Sequence, residues 1–184
     1  MCIRDSKITK NRIKTNNADL KFDKIIFATG YDALSGPILS LNLTGRKNIK
    51  LNKYWKNGPT TYLGLMIPNF PNFFIISGPG SPSVLTNVPA QIQQHVEWIS
   101  EFIKYLEKSN SLSVEPEAKE AENWVKKINT LAKKSLFMKA KNSWYKGDNI
   151  PGKPKTFIPY PAGLPQYREI CNKVQKKMYK GFYI

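Results

Sequence analysis

The stretch FFIISGPGSPSVLTN, residues 73–87, runs from a bulky apolar segment into two glycines and then into a helix-like pattern. Glycines directly after a strand often cradle a phosphate, and the dinucleotide fingerprint needs three of them: one for the tight turn, one for pyrophosphate approach, one for helix–strand packing. Here Ser83 stands at the third position. Pro79 and Pro82 each remove a backbone N–H that a phosphate nest would use. A pyrophosphate site is therefore disfavoured. What remains is a stiff, kinked loop that delivers the chain to a helix start at Thr86-Asn87-Val88. Free N–H groups and the positive dipole end at such a start suit a partly negative planar acceptor. Taken alone, the loop reads as a plain connection between strand and helix.

Downstream of the loop, Ile92, Val96, Ile99, Ile103 and Leu106 recur at helical spacing and predict a helix over 88–108 with these residues on its apolar face. Thr86 or Asn87 is its N-cap and Pro89 lies in its first turn. A second helix over 116–134 has Ala121, Trp124, Val125, Ile128 and Leu131 as its apolar face. Glu115, Glu117, Glu120 and Glu122 crowd its start and read as dipole compensation. A Gly/Pro-punctuated loop with a short apolar run, Thr156 to Tyr160, precedes a last helix over 165–179. Cys171, Val174 and Met178 are helically spaced there, so Cys171 reads as a buried core thiol.

Upstream, Tyr62–Met66 and Asn72–Ser77 read as strands, and 36–60 as irregular. Ile8, Ile13 to Thr15, an Asn16-Asn17 turn, then Leu20 and Phe22 read as short strands. The continuous run Lys24 to Gly30 suits a central strand buried on both faces. With no room for a first βαβ unit before it, this start looks like the end of a larger domain. The opening MCIRDS, residues 1–6, has no structural role and reads as non-native.

Hydrophobic residues make up 41% of the 184, so a substantial core can form. No run of about 18 apolar residues is present, so no spanning helix is expected. The net charge of +16 invites nucleic acid. The lysines are scattered, however, and many, such as Lys119, Lys126, Lys127, Lys133 and Lys134, fall on polar helix faces. A solvated surface is the favoured reading, with no nucleic-acid or membrane partner. A small basic nucleic-acid-binding domain is the non-enzymatic alternative, and it requires lysines gathered on one face. Two cysteines make neither a disulfide framework nor a metal-ligand spacing, which fits a reducing cytoplasmic setting. His95, the single histidine, lies on the first long helix and reads as structural. No catalytic set, metal cluster or P-loop is complete in these residues.

Six segments in fixed order carry more information than any one of them. They are Phe27-Ala28-Thr29-Gly30-Tyr31-Asp32, Gly58 to Gly64, Gly78 to Leu85, Gln94 to Ile99, Asn142-Ser143-Trp144-Tyr145, and Asn149 to Pro154. Together with the ending Lys180 to Ile184, this set resembles the C-terminal part of flavin-dependent Baeyer–Villiger monooxygenases, of the phenylacetone and cyclohexanone monooxygenase types. The resemblance covers nearly everything after about residue 7. It implies an α/β fold: an incomplete C-terminal part of a Rossmann-like flavoprotein with two dinucleotide-binding domains and helical C-terminal elements. Residues 7–110 would belong to the FAD-binding domain with its substrate-pocket loop. Residues 111–184 would supply a helical segment, a cofactor-covering loop over 135–155 and a C-terminal helix.

The implied cofactors are FAD and NADP(H), and the implied reaction inserts one oxygen of O2 beside a ketone carbonyl to give an ester or lactone. Thr29 and Gly30 would lie at the strand end returning to the FAD domain. Asn87 and Val88 would lie against the flavin ring. Ser83, Val84 and Leu85 would line the substrate pocket. Trp144 would ride on a mobile loop that folds over the nicotinamide. The family's catalytic arginine, its G-x-G-x-x-G loops and its histidine–tryptophan fingerprint are absent from these residues and expected upstream, so the chain alone would be inactive. Ala162, where relatives carry glycine, and Pro165 depart from the pattern. An N- or S-oxygenating flavin monooxygenase is the nearest alternative, against which the Trp144–Pro154 segment speaks.

Overall fold

The structure, a computed structural model, describes residues 7–28 and 32–184. The chain divides into two compact units between residues 31 and 32. In the first, β1 (Lys7–Ile8), β2 (Arg12–Lys14) and β3 (Asp19–Lys21) form an antiparallel meander. The Asn16-Asn17 turn forms as its sequence requires: Thr15 Oγ1 accepts the Asn17 and Ala18 N–H groups, at 3.3 and 3.0 Å. The register sets Ile8 opposite Ile13 and Ile13 opposite Leu20, so all three share one face. Ile8 and Leu20 remain exposed there.

The expected central strand from Lys24 to Gly30 is not formed over its described part. Residues 24–28 have no ladder partner, and Ile26 and Phe27 are 90% and 65% exposed. A strand apolar on both faces is stable only between paired neighbours and under cover on both sides, and the described residues supply neither. Thr29 and Gly30 lie outside the described residues.

The second unit is built around three long helices. Short helices α1 (Gly36–Ser40) and α2 (Leu51–Tyr54) stand where irregular chain was expected. They cover a small core of Leu51, Trp55, Ile67, Phe70 and Ile75. α3 (Val88–Lys108) follows, then β4 (Glu115–Pro116), α4 (Ala118–Lys133), α5 (Gly163–Lys176) and β5 (Phe182–Tyr183). β5 pairs antiparallel with β4, which fastens the chain's last residues to the start of α4. The main core joins Trp98 and Phe102 of α3, Trp124 and Ile128 of α4, and Tyr167 and Cys171 of α5.

α3 is turned relative to its expected face. Trp98, Ile99, Phe102 and Leu106 are buried, while Ile92, Val96 and Ile103 are 40%, 48% and 41% exposed. The rings decide this, since each buries roughly 150–250 Å². Phe102 stacks on Tyr179 at 3.9 Å and Trp98 meets both edge-on. Cys171 is buried as expected, but α5 ends before Met178, which is exposed.

Tyr62–Met66 and Asn72–Ser77 are not regular strands but are joined only by isolated bridges, Tyr62 to Met66 and Met66 to Phe74. Leu63 and Gly64 both take positive φ, and the Leu65 N–H returns to the Tyr62 carbonyl at 3.0 Å. That is a reversal, not a strand. Gly64 is needed there twice over: its φ is +73°, and a Cβ would come within 2.4 Å of the Ser81 nitrogen. Glu115 does more than offset a helix dipole. Its carboxylate accepts from Arg46 Nε at 2.5 Å and from the Asn69 N–H at 2.7 Å, tying two loops to β4.

Candidate functional site

The glycine-proline loop is packed from every side. The Gly78 carbonyl accepts from the Ser81 N–H and hydroxyl, at 3.1 and 2.7 Å. The Pro79 carbonyl accepts from Thr61 Oγ1 at 2.6 Å, and the Gly80 carbonyl from Trp124 Nε1 at 3.0 Å. The Gly80 N–H donates to the Ile158 carbonyl at 2.9 Å, and the Tyr160 N–H to the Ser81 carbonyl at 2.8 Å. Gln91 Nε2 reaches the Ser77 and Ser81 hydroxyls at 3.2 and 3.1 Å. The N–H groups of Ser77, Gly80 and Ser81 are thus engaged internally and the two prolines have none, so within residues 77–82 only the Gly78 N–H has no partner among the described residues, too few for a phosphate nest. Its glycines serve close packing instead. At Gly80, with φ +92°, a Cβ would sit 2.8 Å from Thr61 Oγ1 and 3.1 Å from Trp124 Nε1.

His95 anchors the same loop. It is fully buried and its Nδ1 accepts the Ser77 N–H at 3.0 Å, which leaves the proton on Nε2. Nε2 has no hydrogen-bond partner among the described residues. Burial lowers the His95 pKa from 6.5 to about 4, so the ring is neutral at physiological pH. This is the structural role its sequence position implied.

Beyond the loop, Ser83–Leu85 form one 3-10 turn. The three expected pocket residues differ in exposure: Ser83 is buried, Leu85 half-buried against the core, and Val84 48% exposed. Asn87 is exposed and caps α3, its Oδ1 accepting the Ala90 N–H at 3.1 Å. The Gln91 N–H goes to the Asn87 carbonyl, and Pro89 has none to give. The expected group of free N–H donors therefore narrows to two at this helix start, those of exposed Asn87 and half-exposed Val88, which have no partner among the described residues. Two adjacent donors at the positive end of a helix of 21 residues fit the edge of a planar ring and are too few for a pyrophosphate.

Trp144 opens a second 3-10 turn, Trp144–Lys146, and is half-buried. It is not a core anchor. It stacks on Tyr145 at 4.1 Å, and Tyr145 in turn packs on Phe137 and Phe157. One extended segment links this turn to the glycine-proline loop. The Ile158 N–H donates to the Tyr145 carbonyl at 2.8 Å, while the Ile158 carbonyl takes the Gly80 N–H. Trp124 clamps the junction, stacking on Tyr160 at 5.1 Å while holding the Gly80 carbonyl. The structure thus brings the Ser83–Val88 region and the Trp144 turn onto one scaffold. Sequence reading missed this link, because Trp124 and Phe157–Tyr160 show only as apolar residues.

Two open cavities of about 430 and 420 Å³ lie elsewhere, one against α4 and α5, one beside Phe70, and neither is lined by an expected site residue. No cluster of metal-ligating side chains occurs among the described residues. No described helix is long and apolar enough to cross a membrane.

Solved structures that share this fold include a steroid monooxygenase and a cyclohexanone monooxygenase, each bound to NADP, and a complex with FAD and NADP. Over about one third of their length, the chain is a homologue of the Baeyer–Villiger monooxygenases. It is 38% identical over 179 residues to a cyclohexanone 1,2-monooxygenase of an Acinetobacter species, covering 97% of this chain and 32% of the relative. It superposes along its whole length on a closed crystal structure of a cyclohexanone monooxygenase, with 34% identity, 35% of that chain covered and a TM-score of 0.92. With an open structure of such an enzyme, at 29% identity and 32% coverage, the TM-score is 0.79. A phenazine N-monooxygenase of Lysobacter antibioticus matches 97% of this chain and 32% of its own length at 33% identity. No family model matches the chain.

Proposed function

We propose that these residues form part of a FAD- and NADPH-dependent Baeyer–Villiger monooxygenase that inserts one oxygen of O2 beside a ketone carbonyl. The observation that carries this reading is the match along nearly the whole chain to enzymes of that class, with the glycine-proline loop and the Trp144 turn held on one scaffold. On this reading residues 7–110 belong with the FAD-binding domain, and 111–184 add the helical segment and covering loop. Asn87 fixes the start of α3 so that the Val88 N–H meets the flavin ring. Val84 faces the substrate, and Ser83 and Leu85 set its position from within. Trp144 covers the nicotinamide. Bound FAD supplies the redox chemistry, and these residues position it and shield it from water. Thr29 and Gly30 belong to the same cofactor edge. The phosphate-binding loops and the catalytic arginine lie outside the 184 residues. The setting is cytoplasmic.

A second reading has its own observation. A phenazine N-monooxygenase matches the chain across the Trp144–Pro154 segment as well, so that segment does not separate oxygen insertion from N-oxygenation. Product analysis decides. The in-frame gene encoding these residues is expressed and supplied with NADPH, ¹⁸O2, a cyclic ketone and an aromatic N-heterocycle. A lactone carrying one ¹⁸O supports the proposal. An N-oxide without lactone overturns it.

A further inference from the structure

We propose that the ion pair between Asp32 and Lys153 is a latch that holds the 143–154 loop shut, with both as positioning residues for Trp144. Its role in turnover rests on the reading that this loop covers the nicotinamide. The latch itself rests on geometry.

The loop is a preformed body. The Ser143 N–H donates to Asp148 Oδ1, and Lys146 Nζ lies 3.1 Å from Asp148 Oδ2. Gly147, at φ +69°, lets the loop close on itself, since a Cβ there would sit 3.0 Å from the Pro154 carbonyl oxygen. One edge is sewn to the core by the Thr156 N–H on the Lys146 carbonyl and the Ile158 N–H on the Tyr145 carbonyl. The other edge has a different fastening. Lys153 Nζ donates to Asp32 Oδ1, across 121 residues of sequence. Gly36 makes room for that carboxylate, because a Cβ at 36 would come within 2.7 Å of Asp32 Cβ.

Most ion pairs among the described residues are local or exposed, like Lys104–Glu101 and Lys173–Glu169. Lys153 differs: its side chain is only 10% accessible, and Asp32 is 33% accessible. An ammonium that shielded loses much of its hydration and is stable only while it keeps its carboxylate. The contact is therefore either made, with the loop down, or broken, with the loop lifted so that Lys153 regains water. A rigid loop with one sewn edge and one ionic edge moves as a flap about the sewn edge.

Hydrogen exchange read by mass spectrometry on the 184-residue chain tests the latch without cofactor. Asp32→Asn and Lys153→Met are each expected to speed exchange in peptides spanning 141–155 by about tenfold, with α3 peptides unchanged. Exchanging the charges, Asp32→Lys with Lys153→Asp, restores the slow exchange. Unchanged loop exchange in the single variants overturns the latch. So does equal loosening of α3, or a charge exchange that fails to restore protection. Because these arms need no nicotinamide, their failure is distinct from failure of the proposed reaction, which is read from products.

Discussion

Residues 7–28 and 32–184 use the same kinds of apolar side chain, but only the second unit gathers them into a buried core. In the second unit Leu63, Leu65, Met66, Phe102 and Tyr167 are fully buried. In the first, Ile8 is 50%, Leu20 47%, Phe27 65% and Ile26 90% exposed. The difference is one of closure. Three helices, two bent hairpin-like turns and a C-terminal strand surround the second unit's core on all sides, so each ring finds neighbours within the chain. A three-stranded meander of two- and three-residue strands has one apolar face and nothing in its own length to lay on it. Apolar sequence makes burial favourable, but only a partner surface makes it happen.

The largest effect expected on that contrast comes from removing the clamp of the second unit. Trp124→Ala deletes a buried ring that stacks on Tyr160 and leaves the Gly80 carbonyl unpaired, and is expected to cost about 3–5 kcal/mol. Trp124→Phe keeps the ring and loses the donor, at about 1–3 kcal/mol. Urea unfolding of the chain measures both. If the alanine variant costs under 1 kcal/mol, the scaffold is not held at this point.

Next is pH. The folded pKa of His95 lies near 4 against 6.5 unfolded, so between these values the unfolded chain binds the extra proton. Its contribution is complete above pH 6.5 and is lost as pH falls towards 4, by up to about 3 kcal/mol. His95→Gln flattens that slope in a series of urea melts; an unchanged slope contradicts the neutral, buried ring. A smaller effect follows Glu115→Gln, which weakens the tie to half-exposed Arg46 and to the Asn69 N–H by about 1 kcal/mol, less at high salt. The smallest is in the first unit. Ile26→Ser is expected to change stability by under about 0.5 kcal/mol, since its side chain is already in water. A large loss there would show that residues 7–28 bury their apolar face after all.

Legibility in the sequence followed the range of the interactions. Local signals gave α3, α4 and α5 to within a few residues, the Asn87 cap, the buried Cys171 and the structural His95, because helix period and capping act over three or four positions. The rotation of α3 was not readable: its helix is apolar on two flanks, and Phe102 and Trp98 win only because Tyr179 and Phe182 arrive from the chain's end. The bend at Leu63-Gly64 was hidden behind strand-forming residues, since the close approach of Ser81 that requires a glycine there comes from 17 positions away. Within the candidate site, Asn87 and Val88 were marked by their helix start. The Trp124 clamp, the Ile158 strap and the Asp32–Lys153 pair join residues 44, 78 and 121 positions apart, and no local pattern records such contacts.

The Ser77–Val88 loop is a packed scaffold that leaves the Asn87 and Val88 N–H groups free at a helix start, not a cradle for phosphates. Titrating FAD into the 184-residue chain, with flavin fluorescence as the readout, tests it most directly. No saturable quenching and no NADPH oxidation are expected, because the loop's donors at Ser77, Gly80 and Ser81 are already bound within the protein. Stoichiometric, saturable FAD binding by this chain alone would contradict it.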